Sequence, residues 1–345
     1  MKLSQVAALS RVRASIRAEW PRYPLLPALP FVSWPLYCLL RGERRWEFAL
    51  PILLGGVLPY LGHQGKRLYL GLLPVGLVGL LYDGMRFVRN VGISPDRVHL
   101  CDLRALDARF FGVHVGGRLT SIHDVLQAHA TLPRDVFFSV PYGTFIGAAF
   151  AFAAFLYVQD YSAMRRFTFA FFLMNVAAFV TYHVYPAAPP WYFHAHGCAV
   201  DLAAHASEGP NLARVDAWLG VPYFSGFYAR SSDVFGALPS LHVAYPLLIT
   251  LEGFRPFGTL RSPVAAWTLR IASVLFVFWM GCSAVYLDHH WVADVLVGFL
   301  YGLLAFIGVR ALGFSVPLAL SPAPAPAPAP APARVGGVRA YDQKA

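Results

Sequence analysis

Charge is what this chain has least of. Only 13% of its 345 residues are Asp, Glu, Lys or Arg, about half the share usual in a soluble domain, and that excludes an ordinary water-soluble globular protein. Cysteine is scarce too. Cys38, Cys101, Cys198 and Cys282 lie far apart with no Cys-x-x-Cys pair, so no zinc-finger pattern exists and catalysis by cysteine has no support. Cys38 and Cys282 fall in apolar runs and read as small hydrophobes. A Cys101–Cys198 disulfide requires both residues to occupy one non-cytoplasmic face. No nucleic-acid motif accompanies the formal net charge of +10. The basic excess therefore points to positive-inside loops and anionic lipid contacts, not to a nucleic-acid partner.

Apolar residues fill the space left by charge, at 57% of the chain. Eight apolar spans are expected, at about 24–40, 47–63, 67–82, 140–159, 167–186, 239–253, 271–287 and 290–312. The first two are rich in proline and glycine and read as broken or re-entrant crossings. Four regions follow: a basic N-terminal segment with membrane helices (1–82), an extramembrane amphipathic segment (83–139), a membrane core (140–312) and an Ala/Pro-rich extended tail (313–345). The first residues, with Lys2, Arg11, Arg13, Arg17 and Arg22, read as a cytoplasmic surface segment, and a transit peptide is the alternative.

Short loops set the orientation. Arg165 and Arg166 separate two spans, and Arg255, Arg261 and Arg270 separate two others, so both loops are expected in the cytoplasm. The acidic stretch 187–238 then lies on the opposite side, and His242 and His290 near that non-cytoplasmic surface. Arg41, Arg44 and Arg45 run against this assignment.

Ionisable groups at membrane depth are costly and mark function. His290 and Asp294 stand four apart, which on a helix sets the carboxylate beside the imidazole. A carboxylate bonded to one ring nitrogen fixes the tautomer and leaves the other nitrogen free to attack. His289, about 100° away on such a helix, is not equivalent. Asp288 and His289 could join a metal site, but a tetrahedral set needs further ligands, so no metal and no cofactor is expected. Pro239 and Ser240 precede His242; a proline at a first helical position with free amides beyond it makes an anion site, with the Ser240 hydroxyl as a further donor. His242 could then protonate a leaving alkoxide and deprotonate an incoming hydroxyl. The competing readings are a capping serine, a hydrogen-bonded histidine and an interhelical packing pair. The aromatic patch 182–192, with Trp191, is either an interfacial belt or a substrate-lining wall.

These motifs carry a resemblance. Pro239-Ser240-x-His242 and Ser283-x6-His290-x3-Asp294 resemble the second and third motifs of the phosphatidic-acid phosphatase type 2 superfamily. The stretches 185–192, 211–220, 234–242 and 286–291 are similar to the aureobasidin-resistance type, inositol phosphorylceramide synthase. The resemblance implies an all-α polytopic membrane protein, with a six-helix core and about two additional N-terminal membrane segments. It further implies that His290 forms a phosphohistidine, steadied by Asp294, while His242 serves as acid and base. The substrates implied are a phospholipid donor and a lipid alcohol acceptor. Phosphoinositol would pass from phosphatidylinositol to a ceramide.

The first phosphatase motif, Lys-x6-Arg-Pro, is missing, and Ala284 stands where the phosphatases carry arginine. That favours a transferase over a lipid phosphate or pyrophosphate phosphatase and leaves the phosphate without its usual cation. Arg230 is the expected replacement, with Tyr286 and Trp191 completing the substrate-binding set. A non-catalytic lipid-binding or transport protein is the alternative from another class.

Overall fold

The computed structural model describes residues 19, 20, 22–255 and 262–313. Lys2, Arg11, Arg13, Arg17, Arg261 and the Ala-Pro tail lie outside the described residues. Helices α1 (Leu29–Leu40) and α2 (Gly62–Met85) flank a broken helical stretch, Trp46–Tyr60, in which 3-10, α and π turns succeed one another. Pro51, Gly55, Gly56 and Pro59 fall in that stretch, removing ladder donors or loosening the backbone, so its irregularity follows from its composition.

After α2 the chain forms α3 (Cys101–Phe111), a small antiparallel hairpin of β1 (Val113–Val115) and β2 (Arg118–Thr120), and α4 (Ile122–Ala128). Two long helices follow, α5 (Leu132–Gln159) and α6 (Tyr161–Val184), linked by a cap in which Asp160 accepts from the Ala163 amide. Three short helices, α7 (Pro190–His196), α8 (Gly209–Leu219) and α9 (Tyr223–Tyr228), lead to α10 (Leu241–Gly253), α11 (Pro263–Tyr286) and α12 (Val292–Ala311). The architecture is all-α, as expected. Helix α5 begins within the expected segment 83–139, at Leu132, where Thr131 precedes Leu132-Pro133, a proline placed where a helix begins.

Helices α2, α5, α6, α11 and α12 are long and apolar enough to cross a bilayer, and this is a multi-pass integral membrane protein. Their outward faces are apolar, with Ile271, Leu275 and Phe278 of α11 exposed, as surfaces that meet lipid must be. Helix α10 has 13 residues, about 20 Å against a hydrocarbon core of roughly 30 Å. It packs against α5, α6, α11 and α12 at the centre of the bundle. Gly298 makes one of these contacts possible, since a Cβ there would lie 2.3 Å from the Ser240 carbonyl oxygen.

The start of α2 meets the N-terminal end of the described chain through the Lys66–Glu19 pair. The end of α2 meets the 41–47 turn through Arg45–Asp83 at 2.7 Å. The end of α6, the start of α10 and the α11–α12 turn share that second end of the bundle with residues 86–131 and 185–240. Arg45, one of the three residues that ran against the loop count, is neutralised there by Asp83. Cys101 and Cys198 form a disulfide at the same end, closing the two extramembrane segments onto each other.

Candidate active site

Two turns build the site. The first, 235–240, is held by backbone pairing: Ala187 bridges Gly236 on one side and His99 on the other, both in parallel. The Ala187 amide donates to Phe235 at 2.7 Å, and the Ala237 amide returns a bond to Ala187 at 3.0 Å. Small residues at 187, 188, 236 and 237 let these backbones approach. The second turn, 287–291, joins α11 to α12. Asp288 reverses the chain there in a left-handed conformation at φ 67°. The His289 and His290 amides both donate to the Ala284 carbonyl, at 3.2 and 3.1 Å. Ala284 is fully buried, so the position that carries arginine in the phosphatases has no room for one.

This turn corrects the expectation for His290 and Asp294. His290 lies before α12, not on it, and Asp294 sits in the helix's first turn. The Asp294 Oδ2 accepts from the Trp291 amide at 2.9 Å and stands 3.8 Å from His290 Nδ1. At that separation the carboxylate acts on the imidazole as a neighbouring charge, not as its hydrogen-bond acceptor. The acceptor is the Ala237 carbonyl, 2.8 Å from Nδ1. A carbonyl only accepts, so Nδ1 carries the hydrogen and neutral His290 keeps a lone pair on Nε2.

His242 faces that lone pair, its Nδ1 2.9 Å from His290 Nε2, and must be the donor. The His242 ring stacks on Tyr142 with centroids 4.2 Å apart, and the Tyr142 hydroxyl lies 3.3 Å from the same Nδ1. Pro239 is not the first helical residue: it follows a cis Leu238–Pro239 bond, and Ser240 is the N-cap. Ser240 ties the first turn to the start of α12, its amide donating to the Asp294 carbonyl at 3.0 Å. Three buried side-chain atoms here have no partner among the described residues: Ser240 Oγ, His242 Nε2 and Asp294 Oδ1. An unmade bond of this kind costs about 1–3 kcal/mol, so such atoms point to a ligand that completes them.

Both histidines open into a cavity of about 430 Å³ that runs from the turns down between α2, α5 and α6, lined by Val78, Ile146 and Phe171 at its apolar end. His289 lines it as well. Helical geometry does not apply in a turn, so the angle of 100° between neighbours has no meaning there. The ring stacks on Tyr228, and its Nε2 donates to the Glu208 carbonyl at 2.8 Å. Burial, reinforced by the neighbouring His290, pushes its pKa down to about 4, so it is neutral at pH 7. Tyr142 and Tyr228 escaped the sequence reading, being phenols in apolar or loop stretches without a motif.

Of the expected substrate-binding residues, Trp191 lines this cavity and Ser240 lies beside it. Arg230 does not line it: its guanidinium bonds Glu47 at 2.8 Å and borders a neighbouring cavity. Tyr286 is also elsewhere. Its hydroxyl donates to Asp135 at 2.9 Å, in a cluster where Asn211 and Arg214 satisfy the same carboxylate.

A second cluster backs the His290 turn from outside. The buried Asp288 carboxylate is 3.1 Å from His123 Nδ1 and 2.5 Å from His194 Nδ1, and His194 Nε2 lies 3.0 Å from Asp124. The bond to Asp288 outweighs burial and raises His194 to about 9. Burial alone would raise Asp288, but its two histidine bonds hold it below the usual carboxylate range. The Asp288 carbonyl accepts from the Trp191 amide at 2.8 Å, so it also positions the cavity's tryptophan.

Comparison with known proteins places this geometry. The model of the PAP2 superfamily matches residues 110–308. A phosphoinositol dihydroceramide synthase of Bacteroides thetaiotaomicron is 31% identical over 277 residues, 77% of this chain and 88% of that protein. The inositol phosphorylceramide synthase of Candida albicans is 31% identical over 189 residues, 54% of this chain and 38% of its own. The corresponding catalytic subunit of Saccharomyces cerevisiae is 33% identical over 181 residues, 52% of this chain and 43% of its own. No solved structure matches.

Proposed function

This chain belongs to the PAP2 superfamily, and we propose that within it the protein moves phosphoinositol from phosphatidylinositol to a ceramide-type lipid alcohol. The observation that carries the reading is the pair of imidazoles, 2.9 Å apart, at the polar end of an apolar cavity inside the bundle. The relatives' names supply the substrates.

In the first step the Nε2 lone pair of His290 attacks phosphorus, and a P–N bond forms as the P–O bond to diacylglycerol breaks. His242, entering as imidazolium beside the anionic phosphodiester, passes its proton to the departing oxygen. In the second step the acceptor hydroxyl gives its proton to His242 and its oxygen attacks phosphorus, which frees His290. Opposite attack and departure require phosphorus to lie between the two imidazoles, so their direct contact opens when the donor enters. Asp294, buried and 3.8 Å from Nδ1, stabilises the positive charge that His290 gains. Ser240 Oγ, without a partner among the described residues, is placed to bond a phosphoryl oxygen.

The histidine end faces the non-cytoplasmic side in this reading. Arg165, Arg166, Arg255 and Arg270 gather at the opposite end, and the Cys101–Cys198 disulfide fits an oxidising compartment. A headgroup-transfer assay on purified protein tests the function. Labelled phosphatidylinositol in mixed micelles should give diacylglycerol and labelled product together, only with ceramide present. Label released to water whether or not ceramide is added would make the protein a hydrolase instead.

A further inference from the structure

Transfer between two lipids poses a space problem. The catalytic cavity encloses about 430 Å³, within the roughly 300–1,000 Å³ that suits one drug-sized molecule. Two lipids with two chains each need more. A second cavity of about 490 Å³ lies between α2 and the N-terminal turns, and the two share Val75, Gly79, Tyr82 and Phe150 as a common wall. That wall is thin at one place. At Gly76 an added Cβ would strike Leu54 at 2.4 Å, but at Gly79, on the same side of α2, it would meet nothing within 4 Å.

The second cavity has the profile of a lipid. Its body is apolar, with Phe31, Leu54 and Leu72, and its rim at the histidine end carries Arg45, Glu47, Asp83 and Arg230. Those four charges cancel in pairs, Arg45 with Asp83 at 2.7 Å and Arg230 with Glu47 at 2.8 Å. A phosphodiester would have to break such a pair to find a free cation. An uncharged amide or hydroxyl finds donors and acceptors without disturbing either. We propose that this second cavity seats the acceptor, a neutral long-chain lipid alcohol bearing an amide, with its hydroxyl directed past Gly79 and Tyr82 to the histidines. The proposal rests on the transfer reading above and assigns the donor's phosphate to the first cavity. Residues 31–54, the outer wall of the seat, precede the family match at 110–308, whereas Phe150, Arg230 and Ser232 of the same cavity fall within it.

A ceramide with a diazirine in its chain, photolysed with the full-length protein in micelles, tests this directly. Cross-links should fall on residues 31–54 and on the Leu72–Leu80 side of α2. Leu54→Trp fills this cavity alone, and it should cut that labelling and raise the KM for ceramide about tenfold, with the KM for phosphatidylinositol within about twofold of wild type. Leu54→Met, near-equal in volume, should behave as wild type. Labelling at Phe145 and Phe171 instead, labelling in neither cavity, or an equal rise in both KM values would overturn the proposal. Because photolabelling of the wild type needs no turnover, a failure of the transfer reading stays separate. Ceramide cross-linked at 31–54 without any transfer would refute the function and leave the seat standing.

Discussion

Two histidine–carboxylate clusters lie against one turn, 287–291, and their surroundings are opposite. On the cavity side His242 and His290 face each other through nitrogens, with Asp294 at 3.8 Å and no arginine or lysine among the lining residues. On the outer side Asp288 is clasped by His123 and His194, and Asp124 and Arg104 extend the chain of charges to the half-exposed surface. In the outer cluster the Asp288 carboxylate is bonded by two histidines, while His123 Nε2 stands 3.7 Å from Asp107 without a partner among the described residues, and the cluster lines no part of the histidine cavity. The inner one leaves Ser240 Oγ, His242 Nε2 and Asp294 Oδ1 without partners among the described residues, and its two histidines line a cavity, which is the condition of groups that bind and react. In the proposed reading the same residue types, two positions apart in sequence, serve as a reacting centre and as its support.

Substitutions can break that contrast. His290→Ala should abolish transfer, by about 10⁴-fold or more, with the thermal midpoint in detergent unchanged within a few degrees. His242→Ala should lower kcat by roughly 10²–10⁴-fold, the range of a lost general acid–base. Asp288→Asn should behave differently from both: hydrogen bonds to charged groups contribute about 1.5–3 kcal/mol each, so a marked fall in Tm should accompany a loss of activity nearer tenfold. Equal activity losses for Asp288→Asn and His290→Ala at unchanged Tm would erase the distinction between the clusters.

The smallest expected effect is a pH dependence. Folded His194 keeps its proton up to about pH 9, whereas its ordinary value is 6.5. Its contribution to stability is therefore complete below pH 6.5 and disappears as pH rises to about 9. A Tm that falls between pH 7 and 9.5 in wild type, and falls less in His194→Gln, would show it.

Much of this was legible in the sequence, and the remainder was hidden for identifiable reasons. Eight apolar spans are expected and each contains helix, but among the described residues only five helices are long and apolar enough to cross a bilayer. The stretches 29–40, 46–60 and 241–253 are apolar but short, because an apolar run marks burial or lipid contact without fixing the length of the helix. Spacing singles out His242, His290 and Asp294, and the structure brings the three together, but spacing does not disclose their geometry. The spacing of four suggested one helix, whereas a left-handed Asp288 places His290 in a turn and gives its Nδ1 hydrogen to Ala237. His289 was set aside on the same helical assumption. Arg230 and Tyr286 were expected at the substrate, yet each is committed to a carboxylate far away in sequence, Glu47 and Asp135, which no local pattern discloses. The Cys101–Cys198 pairing depends on a shared face, and the fold brings both residues to one end of the bundle.

The central claim is that His290 carries the phosphoryl group. The direct measurement is to incubate the protein with inositol-labelled phosphatidylinositol without acceptor, quench in alkali and map the label by mass spectrometry. The account predicts an acid-labile adduct on His290, absent in His290→Ala and discharged by ceramide. Label on another residue, or acceptor-dependent transfer that persists in His290→Ala, would contradict it.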